Sequence, residues 1–294
     1  MIDTIRKHVV MTRLRERLAD ESGFMGTTHA LSAVAAVLAV FAFKEAWYEQ
    51  VFHTKSIIVL VLLVLVIAGG ALMPDLDNTQ SSAKSSLGFI GKGISMFMRV
   101  TAPILKTLVH TKYDKDLEEA HRGFYHTALA AFLFGAGATF LCSDKINIPI
   151  SGFTITGKTF AIIIAFIASH IALSVLAKPI LRQMKSSAGP VLSTVIPTLF
   201  SIGVVWMLIS MLPDNTDYTM MGVGFGIGWL IHELGDCLTT QGDPILAPIP
   251  IRGKCWYNIR ILPIKAGGLI ENFVFIPVFT VIIIISIFVI VMAL

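Results

Sequence analysis

The chain has 294 residues, 55% of them hydrophobic and 14% charged, with a formal charge of +4 and a mean hydropathy of +0.77. A soluble domain carries roughly 25% charged residues, so the composition excludes a soluble globular protein and predicts an integral membrane protein. The small positive balance gives no reason to expect nucleic acid as a partner, and what matters is where the lysines and arginines lie.

The first 22 residues are polar and of mixed charge. They lack the apolar core and small-residue cleavage site of a signal peptide, and read either as an amphipathic helix on the membrane surface or as a solvated tail. We take 1–26 as a cytoplasmic N-terminal segment and 27–294 as one membrane-embedded domain. A bilayer span needs about 20 largely apolar residues. Seven stretches approach that length: 27–43, 56–73, 124–142, 159–177, 190–212, 220–239 and 269–293. They predict an all-α, polytopic transmembrane helix bundle. The first is short, and His232, Glu233 and Asp236 interrupt the sixth.

Basic residues orient such a bundle, because short cytoplasmic loops retain them. With the N-terminus inside, every one of the 23 lysines and arginines falls on the cytoplasmic side except Lys44, Lys55, Lys145 and Lys158. The protein is therefore expected to cross its membrane several times, with the N-terminus on the cytoplasmic side. Within the long inside loop, residues 87–110 space Lys92, Arg99 and Lys106 seven apart among apolar residues. This predicts a helix lying in the membrane interface, kinked at Pro103. The alternating, β-branched residues after Cys142 suggest a small hairpin. Cys142, Cys237 and Cys255 show no paired spacing, so neither a disulfide framework nor a zinc ribbon is expected. Cys237 reads as a packing residue.

The polar residues are more informative. His29 stands at the inner start of the first span. Asp75 and Asp77 follow the second, just after Pro74 stops it. His121 and His126 precede the third, and His232 and Asp236 sit toward the inner end of the sixth. The last two are four apart, on one helical face, which is how a helix offers two ligands to one metal ion. Ionisable residues within apolar helices are expensive and read as functional by default. All seven fall on the cytoplasmic side, although none of them entered the count of basic residues. Four imidazoles and three carboxylates exceed what one tetrahedral zinc needs and suit one or two divalent ions, zinc first, with a bridging carboxylate. His121 and His126 would point about 140° apart on an ideal helix, so Gly123 is expected to turn the chain and leave only His126 on the helix. Helix starts at the first and third spans would favour a hydroxide or an anionic substrate. His8, His53, His110 and His170 read as boundary residues. Gly222, Gly224, Gly226 and Gly228 read as small-residue packing positions, not as a nucleotide loop.

In TTHA, MPDLDNTQSS, HRGFYHT and GWLIHELGDCLTTQGDPILAPI the chain resembles the YdjM family, LexA-regulated inner-membrane proteins described as metal-dependent hydrolases. The family patterns are a threonine-histidine pair, LPDIDHPKS, HRGFTHS and GYLSHxxxDxLTPxGVPLLWP, with a GGxxE near the end that AGGLIE matches. Asn78 stands where the family commonly has histidine, Tyr125 and Thr127 replace threonine and serine, and 143–219 is longer than in short members. In ligand types alone the set also resembles zinc-dependent phospholipase C. The resemblance implies a metal-dependent hydrolase of the bacterial inner (plasma) membrane. We expect it to cleave an ester or phosphoester bond, with membrane lipid as bilayer and substrate, through a metal-activated water. Asp77 or Glu233 would act as general base, and Arg122 would steady the leaving oxyanion. The competing expectation is a metal-ion or proton-coupled transporter using the same cluster.

Overall fold

In an apolar surround, backbone N–H and C=O groups must bond within their own segment, and each of the seven apolar stretches is accordingly helical. A computed structural model describes residues 25–44, 57–78, 81–114, 123–183, 189–212, 216–262 and 264–293. Apart from one hairpin, the architecture of these residues is all-α. The helices are α1 (Gly26–Phe43), α2 (Ile57–Gly70), α3 (Ser82–Ser86), α4 (Gly88–Leu108), α5 (Ala128–Leu141), α6 (Gly157–Gln183), α7 (Gly189–Met211), α8 (Thr219–Asp236) and α9 (Ile276–Ala293). The tail 1–24, His8, His53, His121 and Arg122 lie outside the described residues.

Among the described residues, four helical stretches are long and apolar enough to cross a membrane: Gly26–Phe43, Gly157–Ala177, Thr194–Met211 and Glu271–Ala293. They coincide with the first, fourth, fifth and seventh of the expected stretches. Helix α5 has 14 residues, about 21 Å at 1.5 Å per residue, against a hydrocarbon core of roughly 30 Å, and α2 ends at Gly70. The chain leaves α2 and enters a 3₁₀ turn at Pro74–Asp77, and it reaches α5 through another at Phe124–His126. Both turns carry predicted ligands.

Helix α8 sits against α5 and α2, and its glycines make the fit close. Added Cβ atoms would overlap backbone of α5 at Gly222 and the Ile67 carbonyl of α2 at Gly228, and one at Gly226 would lie 2.8 Å from Gly135 Cα. The small-residue reading of this helix holds. One buried cluster, including Leu62, Leu63, Ile67, Leu208 and Met221, fills the bundle. A second, including Leu72, Leu76, Met98, Tyr125, Ile171 and Trp229, lies beneath α4.

Helix α4 runs unbroken through Pro103. It buries Met98 and Ala102 and exposes Phe89, Met96, Phe97, Val100, Ile104 and Leu108. Its three spaced charges do not behave alike: Lys92 and Arg99 are exposed, but Lys106 is buried, 6.0 Å from the centre of the Trp256 ring. The expected hairpin is present as β1 (Asn147–Ile150) and β2 (Phe153–Thr156), paired antiparallel with Ile150 opposite Phe153. Its two-residue turn places Ser151 at φ 34° and Gly152 at φ 96°, the left-handed geometry that matches strand twist.

Candidate metal centre

Each element ends where it delivers a polar side chain. Met25, the residue before α1, donates its N–H to Glu271 Oε1 at 2.6 Å, and Gly267 N–H donates to Oε2 at 2.6 Å. The buried Glu271 thus ties the start of α1 to the start of the last helix. One turn into α1, His29 is buried, its Nε2 3.1 Å from Asp236 Oδ1. Its ring stacks on His232 with centroids 3.9 Å apart.

His232 is oriented by backbone. Its Nδ1 lies 2.9 Å from the Ala71 carbonyl, and a carbonyl can only accept, so Nδ1 carries the proton. That leaves Nε2 as the lone-pair nitrogen, 3.8 Å from Asp236 Oδ2 and 3.9 Å from Asp75 Oδ1. A backbone acceptor behind the ring is the usual support for a metal-ligating histidine.

The Gly123 turn was expected to leave His126 on the helix proper. Instead His126 lies in the 3₁₀ turn before α5, and Thr127 is the cap, accepting from Ala130 N–H at 3.0 Å. The reason is local: a threonine hydroxyl satisfies an otherwise orphaned N–H of the first helical turn, so the helix begins one residue after it. Trp229 holds this turn by donating Nε1–H to the Tyr125 carbonyl at 2.8 Å. His126 Nε2 then lies 3.5 Å from Asp77 Oδ2, while Nδ1 lies 3.5 Å from Asp243 Oδ2 and 4.0 Å from both Glu233 Oε2 and Asp236 Oδ2.

Three overlapping sets have their ligand atoms within 4.8 Å of one another: His29, His232 and Asp236; His126, His232 and Glu233; His126, Asp236 and Asp243. The structure therefore brings together His29, Asp75, Asp77, His126, His232, Glu233 and Asp236 at one end of the bundle. Asp243 was not singled out from the sequence. It follows Gly242, whose φ of +66° favours glycine, and exchanges backbone hydrogen bonds with Ile259 at 3.2 and 2.8 Å. An aspartate between a glycine and a proline, seven residues past Asp236, was the available signal. Cys237 is buried next to the cluster but belongs to none of the sets, in keeping with its reading as a packing residue. His170 bonds the Ser86 carbonyl and takes no part.

The donor set fits a divalent cation. Asp77, Glu233, Asp236 and Asp243 are all buried with His29, His126 and His232, so within the cluster acids outnumber bases even with every imidazole protonated. Buried charges are paired or coordinate metal. His232 Nε2, which has no hydrogen-bond partner among the described residues, points into the same space.

Fold and site together define a membrane protein of apolar helices around a buried histidine–carboxylate cluster able to hold a metal ion. The chain belongs to the family described as YdjM inner membrane protein, whose model matches residues 24–179. With the four apolar helices, this places it in the inner membrane as a multi-pass protein. The matched segment contains His29, Asp75, Asp77 and His126 and ends before α8, which supplies His232, Glu233 and Asp236. No curated protein and no solved structure matches the chain.

Proposed function

We propose that the protein is a metal-dependent hydrolase of the inner membrane, cleaving an ester or phosphoester bond of a lipid at the cytoplasmic face. The observation that carries this reading is the convergence of three buried imidazoles and their carboxylates around Asp236. His29, His232 and Asp236 would hold one divalent ion, and His126 and Asp243 a second, with Asp236 shared. Zinc suits a site of imidazole and carboxylate donors. A cation bound there supplies Lewis-acid activation of water and of the scissile group.

The chain's own residues do the rest. Glu233, buried beside His126, is placed to take a proton, and Asp77 holds His126 from the opposite edge of the ring. Arg122, which lies outside the described residues, is assigned to the leaving oxyanion by its place in HRGFYH. The family name and the run of basic residues support a cytoplasmic site, at the level of lipid headgroups. Beyond the cluster, the bundle is filled by Leu62, Leu63, Val66, Ile67 and Met221. This apolar plug favours a reaction centre over the transit path a transporter needs.

The test is elemental analysis of the purified chain combined with hydrolysis of a lipid extract. His232→Ala and Asp236→Ala should each lose bound metal and turnover. Full activity on lipid in either variant would end the proposal.

A further inference from the structure

Helix α4 carries a second charged cluster, which the metal centre does not use. Lys92, Ser95, Met96, Arg99 and Val100 recur at helical spacing and share one side of α4. Lys84, from α3, closes over that side and completes a cavity of about 300 Å³ lined by these six residues. Two glycines permit the fold-back. Gly88 adopts φ +57° at the corner between the helices, a conformation that residues with a Cβ avoid. Gly91 lies so close to the Lys84 carbonyl that an added Cβ would overlap it.

Three cations around one hollow repel each other unless an anion joins them. Among the described residues, none of the three has an ion-pair partner. At the floor, Ser95 is buried, and its Oγ has no hydrogen-bond partner among the described residues. Many helical hydroxyls here return to a carbonyl three or four residues back, as Thr107 does to Ile104 and Ser201 to Pro197, whereas Ser95, Thr28 and Ser286 find no partner among the described residues. Of these three, only Ser95 lines the cavity with the cations, where its hydroxyl can serve a ligand. Around the cavity the helix exposes Phe89, Met96, Phe97, Val100 and Ile104. Basic residues beside an apolar flank are the means by which interfacial helices take up anionic lipid.

We propose that Lys84, Lys92, Arg99 and the Ser95 hydroxyl bind the phosphate of an anionic phospholipid, with its acyl chains against the apolar flank of α4. The site stands apart from the metal centre. The adjoining face of α4 packs, through Met98 and Ala102, on the cluster containing Leu76 and Tyr125, the neighbours of Asp77 and His126. A bound lipid is thus held one helix away from the metal ligands.

Free phosphate shares the chemistry, so the experiment separates the two sources. Full-length protein in neutral detergent is titrated with short-chain phosphatidylglycerol, short-chain phosphatidylcholine and inorganic phosphate, with calorimetry as the readout. Saturable binding of phosphatidylglycerol is expected, at least about tenfold tighter than of the choline lipid, whose trimethylammonium meets the three cations. The double variant K92Q/R99Q, altered only at exposed positions, should weaken that binding at least about tenfold while metal content stays unchanged. S95A should weaken it by a smaller factor. Equal phosphatidylglycerol affinity in wild type and K92Q/R99Q would overturn the proposal, as would equal binding of the two lipids. Inorganic phosphate binding as tightly as phosphatidylglycerol would overturn the assignment to lipid.

Discussion

Asp236 presents its two oxygens to different histidines, Oδ1 to His29 and Oδ2 to His126 and His232. That division makes Asp236 the carboxylate on which all three imidazoles converge. His232 and Asp236 were legible because i, i+4 spacing fixes a shared face. Asp243 was not, because its approach to His126 depends on a loop pinned to Ile259, a contact no local pattern encodes. Asp243→Ala should lower metal affinity at least about tenfold, measured by competition with a chromophoric chelator. Unchanged affinity would remove Asp243 from the ligand set.

At the scale of elements, packing and site are coupled through α8. A side chain at Gly228 would strike the Ile67 carbonyl and approach Ala71 N, and the Ala71 carbonyl orients His232. Gly228→Val should therefore destabilise by about 2 kcal/mol or more through overpacking and also weaken metal binding. Gly226→Val, packed against Gly135, should cost similar stability with metal affinity retained in the folded fraction. Thermal melts paired with metal analysis distinguish the two. Glu271 acts between elements as well. Glu271→Gln turns one of its two acceptor atoms into a donor facing an N–H, and should lower stability by about 1–3 kcal/mol in denaturant titrations. No change would mean that the ends of α1 and the last helix are held by other contacts.

Across the whole molecule, the end of α4 is clasped to the loop 251–256 by Asp114. Its carboxylate accepts from Thr111 N–H at 2.7 Å, Thr111 Oγ1 at 3.0 Å, and the N–H groups of Cys255 and Trp256 at 3.1 Å each. Burial alone would raise the Asp114 pKa, but the N–H donors outweigh it and hold it below the usual carboxylate range. A native pKa below the unfolded one means the stabilisation is complete above the unfolded value and is lost as pH falls through the native one. The Tm advantage of wild type over Asp114→Asn should therefore be constant near neutrality and shrink as pH drops below about 4. An advantage that does not vary with pH would refute the charge-based account.

By itself, the sequence determined the class of protein, the helices, the hairpin, the glycine packing face and most of the residues of the buried histidine–carboxylate cluster. Hydrophobic runs, small-residue spacing and ionisable residues in apolar segments are local signals, and a bilayer leaves them few alternative structures. Only the tertiary structure decided where helices give way to site-bearing turns, which shortened α2 and α5. It alone placed His126 ahead of its helix, recruited Asp243, and folded α3 over Lys92 and Arg99. Each of these depends on backbone groups far apart in the chain finding partners, and that is settled only when the elements pack.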